Sequence, residues 1–163
     1  DGQESGGIVM YRSAGFTLLE LLTALAVVLI LLSVALLVFN SSGKLLKTYP
    51  VSLGFQPQGH KQFEGDGKTP EGRYTINDRN PNSGYHKNLG VSYPNAQDKA
   101  YAQAQGKSPG GDIKIHGLPN GSGSIGARHL LRDWTNGCIA VTDPEVDELF
   151  RLVKPNAEIE ILP

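Results

Sequence analysis

Apolar residues run almost unbroken from Phe16 to Phe39, interrupted by Glu20 and by the mild polar residues Thr17, Thr23 and Ser33. As a helix this run would measure roughly 36 Å at ~1.5 Å per residue, enough to cross a bilayer core of ~30 Å. A carboxylate at the middle of such a span costs ~2.5–3.5 kcal/mol, and Glu20 sits near its N-terminal end, where the cost is smaller. A different pattern begins inside the same run. Leu36-Leu37-Val38-Phe39, Asn40-Ser41-Ser42-Gly43 and Lys44-Leu45-Leu46-Lys47-Thr48-Tyr49-Pro50-Val51 read as strand, turn and strand. Residues 36–39 cannot be both membrane helix and first strand, and the strand is favoured. The expected organisation is a leader or upstream segment at 1–15, an apolar helix at 16–35 and a folded domain at 36–163.

Beyond Lys44 the apolar positions come in short alternating runs between strong turn signals, as in a mainly β domain. Strands are predicted at 45–53, 72–77, 112–116, 138–142 and 157–162. Gly65-Asp66-Gly67 and Asn80-Pro81-Asn82-Ser83-Gly84 read as turns. The Ala- and Gln-rich stretch 97–105, closed by Gly106, predicts a short helix. A second helix is predicted at 144–153, with Asp143 as cap and Pro144 in its first turn. There Val146, Leu149, Phe150 and Val153 form one apolar face, which is scaffolding rather than a site.

Charge and cysteine count narrow the function. The 163 residues carry a net charge of -1, which leaves no basic stripe for a nucleic acid. The one cysteine rules out an internal disulfide framework. A lone Cys is more often a small buried hydrophobe than a nucleophile, so its neighbours decide.

Two segments stand out. Asp112-Ile113-Lys114-Ile115-His116-Gly117 is an alternating strand that delivers His116 at its end. Asp133-Trp134-Thr135-Asn136-Gly137-Cys138-Ile139-Ala140-Val141 is a polar turn leading into an apolar strand. A Cys after Gly at such a junction suits a nucleophile: glycine allows close substrate approach, and nearby amides can face a developing oxyanion. A thiol is only a few per cent ionised at neutral pH, so a neighbouring imidazole is needed to activate it. Cys138 and His116 are the expected nucleophile and base. The amides of Gly137, Asn136 and Cys138 are oxyanion candidates.

His-Gly followed some twenty residues later by Ser/Thr-x-Gly-Cys resembles the signature of L,D-transpeptidase (YkuD-type) domains, here closest to their YafK-like Gram-negative branch. Val51-Ser52-Leu53-Gly54, Gly59-His60-Lys61, Gly65-Asp66-Gly67-Lys68-Thr69-Pro70-Glu71-Gly72 and Ser92-Tyr93-Pro94-Asn95-Ala96 look like further blocks of that family, so the resemblance covers 44–163. It implies a β-sandwich-like fold with short helices and an active-site groove, with His60, Gly117, Trp134 and Thr135 as groove candidates. It implies no metal and no organic cofactor. The implied substrates are peptidoglycan stem peptides. Cys138 would form a thioester and pass the acyl group to an amine, or to water in a hydrolase; a protein joined to peptidoglycan, such as an envelope lipoprotein, is a further implied substrate. The family usually has His where this chain has Asn136, and Arg where it has Ala140. The YafK-like branch shares both changes, and they bear on which reaction follows the thioester.

His129, His60 and His86 are the other histidines; His129 is nine positions before Cys138 but reads as part of a short helix or loop. At the N-terminus, Gly15-Phe16-Thr17-Leu18-Leu19-Glu20-Leu21-Leu22 resembles a type IV prepilin cleavage site, which implies processing after Gly15 by prepilin machinery. The implied location is the cell envelope, with a periplasmic catalytic domain anchored to the inner membrane by the N-terminal helix. A non-catalytic pilin-like subunit is the competing reading.

Overall fold

A computed structural model describes residues 7–11 and 34–163. Eight strands, β1 (Ile8–Tyr11), β2 (Ala35–Phe39), β3 (Leu45–Pro50), β4 (Gly72–Ser83), β5 (His86–Val91), β6 (Lys114–His116), β7 (Ile139–Ala140) and β8 (Glu158–Ile161), form one sheet. Their order is β3-β2-β1-β8-β4-β5-β6-β7. Two α-helices, α1 (Ala96–Ala104) and α2 (Asp143–Leu152), and a kinked 3-10 segment at Gly123–Leu131 complete the fold.

The fold is mainly β, as expected, but the sandwich is a single curled sheet. Strand β4 is long enough to serve both halves: Gly72–Thr75 pair with β8, and Ile76 onward pairs with β5. The curl brings the ends of the sheet together, because Ser52, just past β3, bridges Ala140 of β7. Both backbone bonds of that bridge form, at 3.0 and 2.8 Å. Strand curvature thus removes an exposed edge next to β7.

One contiguous core lies inside the curl, drawing Ile8 and Met10 from β1, Leu36 and Val38 from β2, Tyr74 and Ile76 from β4, and Ile159 and Ile161 from β8. Helix α2 packs against β5 and β6 through its predicted apolar face. Its N-cap is Thr142, one residue earlier than expected, and the Thr142 N–H donates to the Glu145 carboxylate at 2.8 Å. Asp143 instead accepts the Leu118 N–H on its carboxylate at 2.8 Å, just beyond β6. At the other end, the Arg79 guanidinium from β4 donates to the carbonyls of Phe150 and Val153, closing the helix C-terminus. Helix α1 begins at Asn95, whose side chain accepts the Gln97 and Asp98 N–H groups.

Strand β5 has no counterpart among the expected strands, and β6 begins at Lys114 rather than at residue 112; two further stretches also differ. The Asn80–Gly84 run is not a loop: β4 continues through it to Ser83 and turns tightly into β5. Pro81 is tolerated there because the register shifts between Asn80 and Ser83. Ile8–Tyr11, read as upstream sequence, form an inner strand between β2 and β8.

Residues 16–33 of the apolar helix expected at 16–35, and the cleavage after Gly15, lie outside the described residues; Ala35, the last residue of that expected helix, instead opens β2. Among the described residues no helix is long and apolar enough to cross a membrane. Tyr11 of β1 and Ala35 of β2 are directly paired in the sheet.

Because Met10 is only 1% exposed, Met10→Ala is expected to cost about 2–5 kcal/mol in urea denaturation. A loss under ~0.5 kcal/mol, the level of a surface substitution, would mean that β1 is not part of the folded sheet.

Candidate active site

Strand β6 sets the imidazole. Lys114 and His116 are two apart, so their side chains share one face, and His116 pairs with Asn88 of β5 and Ala140 of β7. The adjoining pair, Ile115 with Ile139, brings the residue before β7, Cys138, next to Lys114. Both His116 and Cys138 line one groove of about 530 Å³. Trp134, Thr135 and Asn136, from the turn before β7, line it as well.

The turn is fixed by Thr135. Its hydroxyl donates to the Cys138 carbonyl at 2.7 Å and accepts the Gly137 N–H at 3.1 Å. Gly137 has φ 131°, and a Cβ there would lie 2.5 Å from the Lys68 carbonyl oxygen. Only glycine combines that angle with that approach. Behind it stands the 61–68 loop, built on Asp66, which accepts amide N–H groups from Gln62, Phe63 and Lys68 and an ion pair from buried Lys61. Burial alone would raise the Asp66 pKa; the Phe63 amide, the Lys61 ammonium and the other amides outweigh it and hold the carboxyl below its ordinary range.

His116 is 4% exposed, and its Nδ1 lies 2.6 Å from the Gly117 carbonyl oxygen. A carbonyl can only accept, so Nδ1 carries the proton and Nε2 is left as an acceptor in the neutral ring. Tyr85 and Trp134 flank the imidazole, with ring centroids 4.5 and 5.8 Å away. Burial is the main influence on His116 and pushes its pKa down; the Gly117 carbonyl opposes this, while Lys114 and His129 add to it. Cys138 is half-buried, and its Sγ lies 3.6 Å from the Asp112 carbonyl oxygen. Burial pushes the thiol pKa up, and the nearby Asp112 carboxylate adds to the rise; the Lys114 amide and the Lys114 and Lys61 ammonium groups act the other way. Both shifts favour the uncharged forms, the thiol of Cys138 and the neutral imidazole of His116.

The other residues singled out in the sequence divide. Trp134, Thr135 and Asn136 face the groove. Gly117 does not line it but supplies the carbonyl that orients His116. The Gly137 amide is already bonded to Thr135, which leaves the amides of Asn136 and Cys138 from the expected oxyanion donors. His60 is away from the groove: its Nδ1 accepts the Glu71 N–H at 2.9 Å, its Nε2 lies 3.0 Å from Asp98, and its ring abuts Tyr93. His86 pairs with Asp147 of α2 at 3.1 Å. His129 is buried behind Trp134, whose indole N–H donates to its Nδ1 at 3.4 Å; Ser52 Oγ lies 3.2 Å from the same nitrogen. No metal-binding group of three or more His, Cys, Asp or Glu occurs among the described residues.

Sequence reasoning missed Tyr85, Lys114 and the β4–β5 wall with Asn80, Ser83 and Asn88. Lys114 had a signal, its two-residue spacing from His116 on an alternating strand. Tyr85 had none, since it reaches the site through a hairpin that read as a loop.

A half-buried thiol and a buried imidazole on one face of a curled sheet define a cysteine–histidine site. Residues 26–161 match the L,D-transpeptidase catalytic domain model, YkuD, and the chain belongs to that family. Residues 10–36 also match a prokaryotic N-terminal methylation motif. YafK of Escherichia coli (strain K12), provisionally named an L,D-transpeptidase, is 32% identical over 130 residues, which is 74% of this chain and 45% of YafK. The helical cell shape determining protein Pgp2 of Campylobacter jejuni is 28% identical with a TM-score of 0.57, over 78% of this chain and 43% of Pgp2. Bd1075 of Bdellovibrio bacteriovorus gives 27% identity and a TM-score of 0.53, over 78% and 43%. The chain thus spans less than half the length of these relatives.

Thiol alkylation tests the protonation states. With a raised thiol pKa, iodoacetamide labelling of Cys138 is expected to be slow at pH 7 and to climb only above the ordinary thiol range of ~8.5. Fast labelling that persists to pH 6 would instead reveal a thiolate–imidazolium pair.

Proposed function

We propose that this chain carries out cysteine-dependent acyl transfer on peptidoglycan stem peptides in cell-wall remodelling. The observation that carries the proposal is the shared groove of Cys138 and His116, built across the β6–β7 register within a YkuD-family domain. The family match and the N-terminal motif support a cell-envelope location, with the groove facing the periplasm.

In the proposed reaction, His116 Nε2 takes the Cys138 proton as Sγ attacks the carbonyl of the L-centre at an L,D bond. Negative charge moves to the carbonyl oxygen, for which the amides of Asn136 and Cys138 are the remaining candidate donors. One such donor is worth about 2.7–4 kcal/mol in known cases. The tetrahedral adduct collapses, the C–N bond breaks, and the imidazolium returns its proton to the departing amine of the D-residue. The thioester is then attacked by an acceptor amine, which gives a proton to His116. Collapse restores the thiol and leaves a new amide. With water as acceptor the product is a free carboxylate.

Hydrolysis is the second reading, and Ala140 favours it. That position is fully buried and both its backbone groups bond Ser52, so no side-chain cation projects there to hold a substrate carboxylate. The proposed pH dependence follows from His116. Its pKa is lowered, so the base stays unprotonated until the pH falls below the ordinary histidine value of ~6.5, and acylation should decline only beneath that point.

The test incubates the protein with tetrapeptide muropeptides and with protein-linked muropeptides and reads the products by mass spectrometry. Release of the terminal D-residue with a crosslinked dimer supports transfer, and a tripeptide alone supports hydrolysis. Cys138→Ala should lower either by at least about a thousandfold, in line with loss of a covalent nucleophile. Products formed equally by Cys138→Ala would remove the assignment and favour the non-catalytic, pilin-like alternative.

A further inference from the structure

Among the described residues that line the groove, Lys114 is the one cation. The family's usual Arg position is Ala140 here, buried and without a charge to offer. We propose that Lys114 takes over carboxylate recognition, binding the α-carboxylate of the D-residue that departs when Cys138 is acylated. This rests on the acyl-transfer reading above and names the substrate group that the site selects.

The geometry supports the assignment in three ways. Lys114 and His116 project from the same face of β6, and the β6–β7 register sets Lys114 beside Cys138. The carboxylate of the departing residue is separated from the scissile nitrogen by a single Cα. It therefore lies within about 5 Å of the attacked carbon, inside the reach of a lysine side chain. Finally, the Lys114 side chain is only partly withdrawn, 29% exposed, and its present partner is weakly committed. Asp112 Oδ1 lies 2.9 Å away, but the Asp112 side chain is 84% exposed and well solvated. Such a pair gains little from burial, so a second carboxylate can share or replace it.

Lys114 also influences the thiol, so a change in rate alone would not separate binding from activation. Discrimination between two substrates on one protein does, because the thiol is common to both. The full chain is assayed with a tetrapeptide ending in a free carboxylate, the same peptide as its C-terminal amide, and a peptide amidated instead on the diaminopimelate carboxylate. Wild type should prefer the free C-terminal acid over the C-terminal amide by at least about tenfold in kcat/KM, the size of a charge-assisted hydrogen bond. Lys114→Met should bring that ratio near one, and Lys114→Arg should retain most of it. An unchanged ratio in Lys114→Met overturns the proposal. Loss of preference only with the diaminopimelate amide also overturns it, by assigning the cation to that carboxylate. The same peptides are titrated against Cys138→Ala, with and without Lys114→Met, by calorimetry. A carboxylate preference in binding that needs Lys114, with no turnover by wild type, would sustain this inference while removing the acyl-transfer reading. Turnover that depends on Cys138 without such a preference would do the reverse.

Discussion

The site depends on the register between β6 and β7. These strands are short, three and two residues, yet their pairing sets His116 against Ala140 and brings Cys138 beside Lys114. Side chains alternate along a strand, so a slip of one residue would turn His116 away from the groove. A two-residue strand cannot hold its own register. It is held from the far side by Ser52, which bonds both backbone groups of Ala140, and from within by the Thr135 hydroxyl, which braces the turn. The curl of the sheet is therefore part of the chemistry: it brings the segment after β3 around to lock β7.

That lock explains the density of small and buried polar residues around Cys138. Gly137 cannot carry a side chain because the Lys68 carbonyl stands against it, and the 61–68 loop is fixed in turn by the Asp66 carboxylate and buried Lys61. Asp143 ties the start of α2 to the chain just beyond His116, while Arg79 ties its end to β4. Burial pushes the thiol pKa of Cys138 up and the imidazole pKa of His116 down, so both shifts favour the uncharged forms.

Much of this was legible in the sequence where a local pattern carried the information. The strand delivering His116, shorter than expected at Lys114–His116, the Gly-Cys turn and the apolar face of α2 appear where the pattern set them. The failures share a cause: they depend on partners distant in sequence. Strand β1, Ile8-Val9-Met10-Tyr11, carries β-forming residues, but its place inside the sheet depends on β2 and β8, which lie far along the chain. The Asn80–Gly84 run has the residues of a turn, yet pairing with β5 overrides them. His60 lies in a block that resembles the family, but a matching block says nothing of direction, and its ring turns to Asp98 and Tyr93. Lys114 was visible two residues before His116, and it gains meaning only once Ala140 is seen to be buried.

Everything in the proposed chemistry passes through covalent acylation of Cys138. Intact-mass spectrometry of the protein quenched in acid during reaction with a tetrapeptide donor tests that step most directly. The expected result is an adduct equal to the donor less its terminal D-residue, located on Cys138 by peptide mapping, accumulating in the absence of an amine acceptor and missing in Cys138→Ala. Turnover of the donor without any adduct on Cys138, or with the adduct on another residue, would contradict it.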